Sequence, residues 1–169
     1  MFDPSAWRHR MADPVAALLR ISILVMSIFA GASTATAQEI PTMKLASPYS
    51  FDDTLSRLRT TLTGKGMSIF ATIDHRAGAR EAGLDMPPTT VVIFGSPKGG
   101  TPLMLAAPDV ALDLPLRVLV REDDKGQVWL VYDPVATLEG RHGLPAGMSE
   151  RLAPAQKLLA AVVQPAAGH

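Results

Sequence analysis

The sequence predicts an α+β fold, with one antiparallel sheet and helices grouped on one side of it. Three observations predict this. The elements run strand, helix, several strands, helix. The strands follow one another through links of hairpin type, of which Asp123-Asp124-Lys125-Gly126 is the clearest, its glycine supplying the positive φ of a tight turn. Apolar residues make up 47% of the chain and charged residues 19%, enough apolar side chains to build a core and exclude wholesale disorder.

Residues 40–46 are short and mixed and carry Pro41 at the start, as an edge strand can. Ser50 then caps a helix, with Asp53 placed to bond back in the manner of a capping box. Phe51, Leu55, Leu58 and Leu62 repeat at spacings that line one helical face, Arg57, Arg59 and Lys65 lie elsewhere, and Gly64 and Gly66 stop the helix. Residues 67–74 alternate. The pattern predicts a strand with Met67, Ile69, Ala71 and Ile73 on one face and Ser68, Phe70, Thr72 and Asp74 on the other. Residues 76–84 allow one or two helical turns, ended by Gly83 and by Pro87-Pro88.

Residues 89–94, Thr-Thr-Val-Val-Ile-Phe, are β-branched and apolar and predict a central strand. Residues 95–100 read as a Gly-rich turn, and 101–107 as a short helix with Pro102 in its first turn. A strand over 116–122, the hairpin turn at 123–126 and a partner strand over 127–133 follow. Residues 149–163 predict a final helix with Leu152, Leu158, Leu159, Val162 and Val163 turned inward, and Pro154 must sit in its first turn or kink it. There is no internal repeat, low-complexity linker or second domain boundary.

Residues 1–37 read as an address. Trp7-Arg8-His9-Arg10 is basic, residues 21–30 form an apolar run, and Ala35-Thr36-Ala37 supplies small residues for cleavage after Ala37, the pattern of a secretory signal peptide. A spanning helix needs about 20 apolar residues, twice this run, and the plainer alternative to a cleaved signal is an uncleaved anchor. Met11 is an alternative start. The expectation is a periplasmic or secreted protein with no stable membrane span after cleavage, a flexible start at 38–44, one domain over 45–163 and a disordered tail at 164–169. The whole chain has 16 basic and 16 acidic residues, and residues 38–169 have 13 and 14. That balance is not the basic excess of a nucleic-acid binder. The absence of cysteine excludes disulfides, thiol nucleophiles, zinc–cysteine sites and Fe–S clusters.

Four segments taken in order carry a resemblance: Ile73-Asp74-His75; residues 92–104; residues 111–120; and Val131-Tyr132-Asp133-Pro134 leading to Arg141-His142-Gly143-Leu144. Together they resemble the bacterial domain-of-unknown-function family 302, over residues 45–163. The resemblance implies a β-α-β4-α sheet, similar in outline to half of the TATA-box-binding-protein fold. It implies no activity. Ser96 stands where asparagine is common in that family.

Three groups of residues are candidates for chemistry. In the first, Ser96, Lys98, Gly99, Gly100 and Thr101 follow a strand and open a helix, where free N–H groups suit a small anion. Lys98 precedes the glycines, so this is not a P-loop, and the plainer alternative is a tight turn with a solvated lysine. The second group is Asp74, His75, Asp133 and His142 at strand ends, which would hold a divalent transition metal such as Zn²⁺, Cu²⁺ or Ni²⁺ if they converged. In the plainer reading Asp74 caps a helix and Asp133-Pro134 starts a turn. The third is Asp113, an acid within an apolar run, which in the plainer reading pairs with Arg117 or caps Leu114-Pro115 and in the sharper one is a general acid, with His75 and His142 as the other acid/base candidates. Ser96 lacks the G-x-S-x-G elbow of a nucleophile. Met86, Met104 and Met148 are too scattered for a copper motif and read as gap-fillers. These features predict a non-catalytic exported module for a small ligand, an anion or a metal. The alternatives are a small periplasmic hydrolase, and a structural domain that self-associates, as a homodimer, through an open sheet face.

Overall fold

The computed structural model describes residues 42–165. The expected signal peptide, residues 38–41 and residues 166–169 lie outside the described residues. The elements are β1 (Met43–Ser47), α1 (Phe51–Gly64), β2 (Ser68–Asp74), α2 (His75–Glu81), β3 (Thr89–Gly95), α3 (Pro97–Ala106), β4 (Leu116–Glu122), β5 (Val128–Tyr132) and α4 (Ala153–Val162), with short 3-10 turns between α3 and β4 and between β5 and α4. Met43 and Lys44 belong to β1 and not to a flexible start. The five strands form one sheet in the order β1-β5-β4-β3-β2, and every neighbouring pair is antiparallel. This is the expected α+β class.

The alternation of the strands decides the core. Thr90, Val92 and Phe94 of β3, Val118 and Val120 of β4, and Val128, Leu130 and Tyr132 of β5 are buried. Antiparallel partners share a face, so these residues form one continuous layer. Leu58 and Leu62 of α1 and Ala155, Leu159 and Val162 of α4 close over it. The predicted helical spacing of α1 therefore buries the face it named. Ser50 accepts from the Asp53 N–H at its start, as a cap should. Arg57, read from sequence as a surface residue, reaches α4. Its Nε donates to the Val162 carbonyl at 3.2 Å and its guanidinium lies 4.0 Å from the Tyr49 ring centre. A cation at a helix C-terminus offsets the free carbonyls there.

Two elements differ from the expectation. β2 carries a bulge: Ile69 pairs with Phe94 and Ala71 with Ile93, leaving Phe70 as an extra residue. One inserted residue reverses the parity of everything beyond it. Ile69 keeps the core face, but Thr72 now shares the face of Val92, and Ala71 and Ile73 turn to the opposite side, where Ile73 is 44% exposed. The second difference is α3. It begins at Pro97 and not at Thr101, with Ser96 in the N-cap position and Gly99 and Gly100 inside the first turn. Proline suits the first helical position because its missing N–H has no partner there. Pro102 consequently lies in the helix interior. The final helix splits as its proline required: a 3-10 turn at Ser149–Leu152 leads into α4, with Pro154 in the first α-turn.

A second apolar cluster sits where β3 and β5 end and β4 begins. Leu103 and Ala107 from α3 and its end meet Val110, Val135, Leu138, Leu144 and Leu152 there.

Shortening Phe94, fully buried in the first cluster, tests this layering. Phe94→Ala should lower the unfolding free energy by about 3–5 kcal/mol in denaturant titration. Ile73→Thr, on the far face beyond the bulge, should change it by less than about 1 kcal/mol. Comparable losses from the two would contradict the register of β2.

Candidate functional site

Strand direction separates the candidate residues into two groups. The ends of β3 and β5 and the start of β4 share one end of the sheet, and the end of β2 lies beside the start of β3 at the other. Six steps along β3 at about 3.3 Å each put these ends roughly 20 Å apart. Asp74 and His75 lie at the second end. Asp74 accepts the Ala77 N–H at 3.0 Å and so caps α2, the plainer of its two readings. Ser96, Asp113, Asp133 and His142 lie at the first end. The four-residue metal set is therefore not assembled: the antiparallel order sends His75 away from His142. Among the described residues no group of three or more His, Asp or Glu side chains stands close enough to hold a metal ion.

Asp113 is paired, though not with Arg117. Its carboxylate lies 3.0 Å from His142 Nε2 and 3.2 Å from an Arg141 guanidinium nitrogen, and its side chain is 13% exposed. Arg117 and Asp133 line the same small cavity of about 50 Å³. His142 has φ 52°, in the left-handed region a non-glycine residue seldom adopts. The Asp113 pair thus binds the segment before β4 to the turn at Arg141–Gly143. A carboxylate that orients an imidazole can serve acid–base chemistry. Among the described residues, however, Asp113 is the only side chain hydrogen-bonded to His142, and no hydroxyl shares the pair. A further carboxylate secures the same region: Glu139 accepts from the Ser149 hydroxyl and the Gly147 N–H.

The Gly-rich segment leads to a larger feature. Ser96, Gly99, Gly100 and Thr101 line a groove of about 280 Å³, with Met67 and Phe70 from β2, Met104 from α3, Leu114 and Pro115 before β4, and Arg151, Leu152 and Pro154 at the start of α4. Most of its surface is apolar. Lys98 is exposed and does not line it. Gly95 lies at the end of β3 beneath Phe70: a Cβ there would stand 3.6 Å from the phenyl ring. A Cβ at Gly99 would stand 3.5 Å from Leu152, and one at Gly100 3.7 Å from Leu114. Three glycines thus leave the floor open. Sequence reasoning found the glycines and Ser96 but missed Phe70 and Arg151. Phe70 was placed on the polar face of β2, and an aromatic ring at a solvent-side position was the available signal.

An antiparallel sheet under two helices, with an apolar groove at one end, defines the class of domain. The model of the family described as "Domain of unknown function DUF302" matches residues 43–163, and the chain belongs to that family. A crystal structure of an uncharacterized conserved DUF302 protein from Bacillus stearothermophilus shares the fold, with a TM-score of 0.63 at 20% identity over 72% of this chain and 94% of that one. The chain is 44% identical over 107 residues to proteins named fluoride-specific ion channel: FluC 1 of Brucella suis biovar 1 (strain 1330) and FluC 2 of Brucella melitensis biotype 1 (strain ATCC 23456 / CCUG 17765 / NCTC 10094 / 16M). The match takes in 63% of this chain but only 41% and 39% of those two, so the chain spans about two fifths of the relatives it matches. Among the described residues no helix is long and apolar enough to cross a membrane.

The bonds to Glu139 predict an acid-sensitive contact. The Ser149 hydroxyl and then the Gly147 N–H hold its carboxyl below its ordinary value of 4.5. The stabilisation is present above that value and is lost as the pH falls through the lowered one. Glu139→Gln should therefore be less stable than wild type at pH 7, with the gap closing in titrations taken below about pH 4. A gap that stays constant down to pH 3 would contradict this role.

Proposed function

We propose that the protein is an exported, non-catalytic module that holds a small ligand in the groove between β2 and the starts of α3 and α4. The observation that carries this reading is the glycine floor. Glycine within a helix costs about 1 kcal/mol relative to alanine, and α3 has two in its first turn. Their common effect is to keep the groove empty of side chains. A volume of about 280 Å³ is near the lower end for small-molecule sites, roughly 300 Å³. Met67 and Met104 give it adaptable walls. Export, to the periplasm or beyond, rests on the basic, apolar and Ala-Thr-Ala pattern of residues 7–37. The hydrolase alternative retains the Asp113–His142 pair, which among the described residues no hydroxyl side chain joins.

Gly100→Leu tests the groove. Its Cβ would meet only ordinary contacts, so the fold should persist while the longer side chain fills the space. The neutral dye N-phenyl-1-naphthylamine should bind the wild type saturably with increased emission. The variant should bind it at least about tenfold more weakly with an unlowered melting temperature, since leucine is the better helix former. Equal binding by a folded variant would refute the groove as the site.

The Brucella relatives favour a second reading, in which the domain works beside a fluoride-specific channel. The matched segment amounts to about two fifths of each relative, and the fold described here contains no spanning helix, which suits an extramembrane accessory. Disrupting this chain's gene should then lower the fluoride concentration its cells tolerate, and restoring it should recover tolerance. An unchanged tolerance would set this reading aside.

A further inference from the structure

We propose that the groove takes a small amphipathic anion, an alkyl or aryl carboxylate whose hydrocarbon part lies against Phe70, Met67 and Met104 and whose acid group meets Arg151. The inference rests on the groove being the ligand site and adds the ligand's chemistry.

The lining has one sign of charge. Arg151 is the only charged side chain on it, and no acidic residue lines it. Among the described residues the ion pairs are those of Asp113, so Arg151 has no carboxylate within 4.0 Å. Ser96, which also lines the groove, occupies the N-cap position of α3 and makes no cap hydrogen bond, so its hydroxyl is left able to donate. The positive end of α3, a ten-residue helix, adds to the same field. The remaining wall is hydrocarbon and thioether. A wholly polar anion would leave that wall wet, and a neutral hydrocarbon would forgo the attraction of Arg151, which is exposed and faces no carboxylate among the described residues. A molecule with both parts satisfies both.

Size narrows the class. At about 30 Å³ for each water-sized unit, the volume holds on the order of nine heavy atoms. A chain of eight carbons ending in a carboxylate fits that measure, as does a single substituted ring. Arginine suits a carboxylate because its planar fork donates two parallel hydrogen bonds.

The test compares octanoate with 1-octanol by calorimetric titration of the full mature chain. Octanoate should bind about tenfold more tightly than octanol. Arg151→Gln should remove most of that preference while leaving octanol binding unchanged, and Arg151→Lys should restore part of it. Lys98→Gln, outside the groove, should change neither by more than about twofold. Equal affinity for the two probes, with Arg151→Gln silent, would overturn the anionic ligand and leave the groove reading standing. Failure of both probes, together with no dye binding, would overturn the groove reading itself. A concentration-dependent dimer abolished by Gly100→Leu, with neither probe bound, would make the groove an interface between copies and would also overturn the proposal.

Discussion

The extra residue in β2 sets the geometry of the groove. A regular strand would place Phe70 opposite Ile93, and the side chains on either side of it would alternate without interruption. Instead Ile69 pairs with Phe94 and Ala71 with Ile93, and Phe70 stands out of the ladder. Phe70 is 55% exposed and its ring lies over Gly95, at ordinary contact distance from where a Cβ would stand. The groove's β2 wall and part of its floor both follow from that pairing. The bulge also lets one short strand serve two surfaces: Met67 and Ile69 pack toward the core, whereas Ile73 turns away from it.

The outline of the fold was legible because it depends on short-range patterns. The β-branched apolar run of residues 89–94, the Asp123 hairpin and the 4-3-4 spacing in α1 each state a local preference that the sheet then satisfies. Asp123 illustrates how local that information is. Its carboxylate accepts from the Trp129 indole, the Gln127 N–H and the Lys125 N–H, all within six residues, and these bonds hold its pKa low. The bulge was not legible, because the sequence of β2 is compatible with unbroken alternation and only the partner strand exposes the extra residue. The start of α3 was misplaced for a related reason: two glycines read as a turn, while Pro97, which marks the first helical position, carried the opposite signal.

The candidate site was partly legible in the same sense. Ser96, Gly99, Gly100 and Thr101 line a real groove, yet its chemistry is set by residues from three other segments. Lys98, the obvious cation in sequence, faces solvent, and Arg151, about fifty residues on, stands on the groove wall. The imidazoles show the limit of counting ligands along a chain. His75 and His142 follow similar strand ends in sequence, but antiparallel order places those ends on opposite edges of the molecule. Asp113 instead holds both His142 and Arg141, in a contact that joins the segment before β4 to the turn at Arg141–Gly143.

The most direct test of this account is the cross-strand pattern of β2 and β3 measured by nuclear Overhauser contacts in solution. A bulge at Phe70 requires contacts linking Thr72 to Val92 and Ala71 to Ile93, with the Phe70 ring near the Gly95 α-protons. Contacts linking Ala71 to Val92 and Phe70 to Ile93 would describe a regular strand, and the groove described here would not exist.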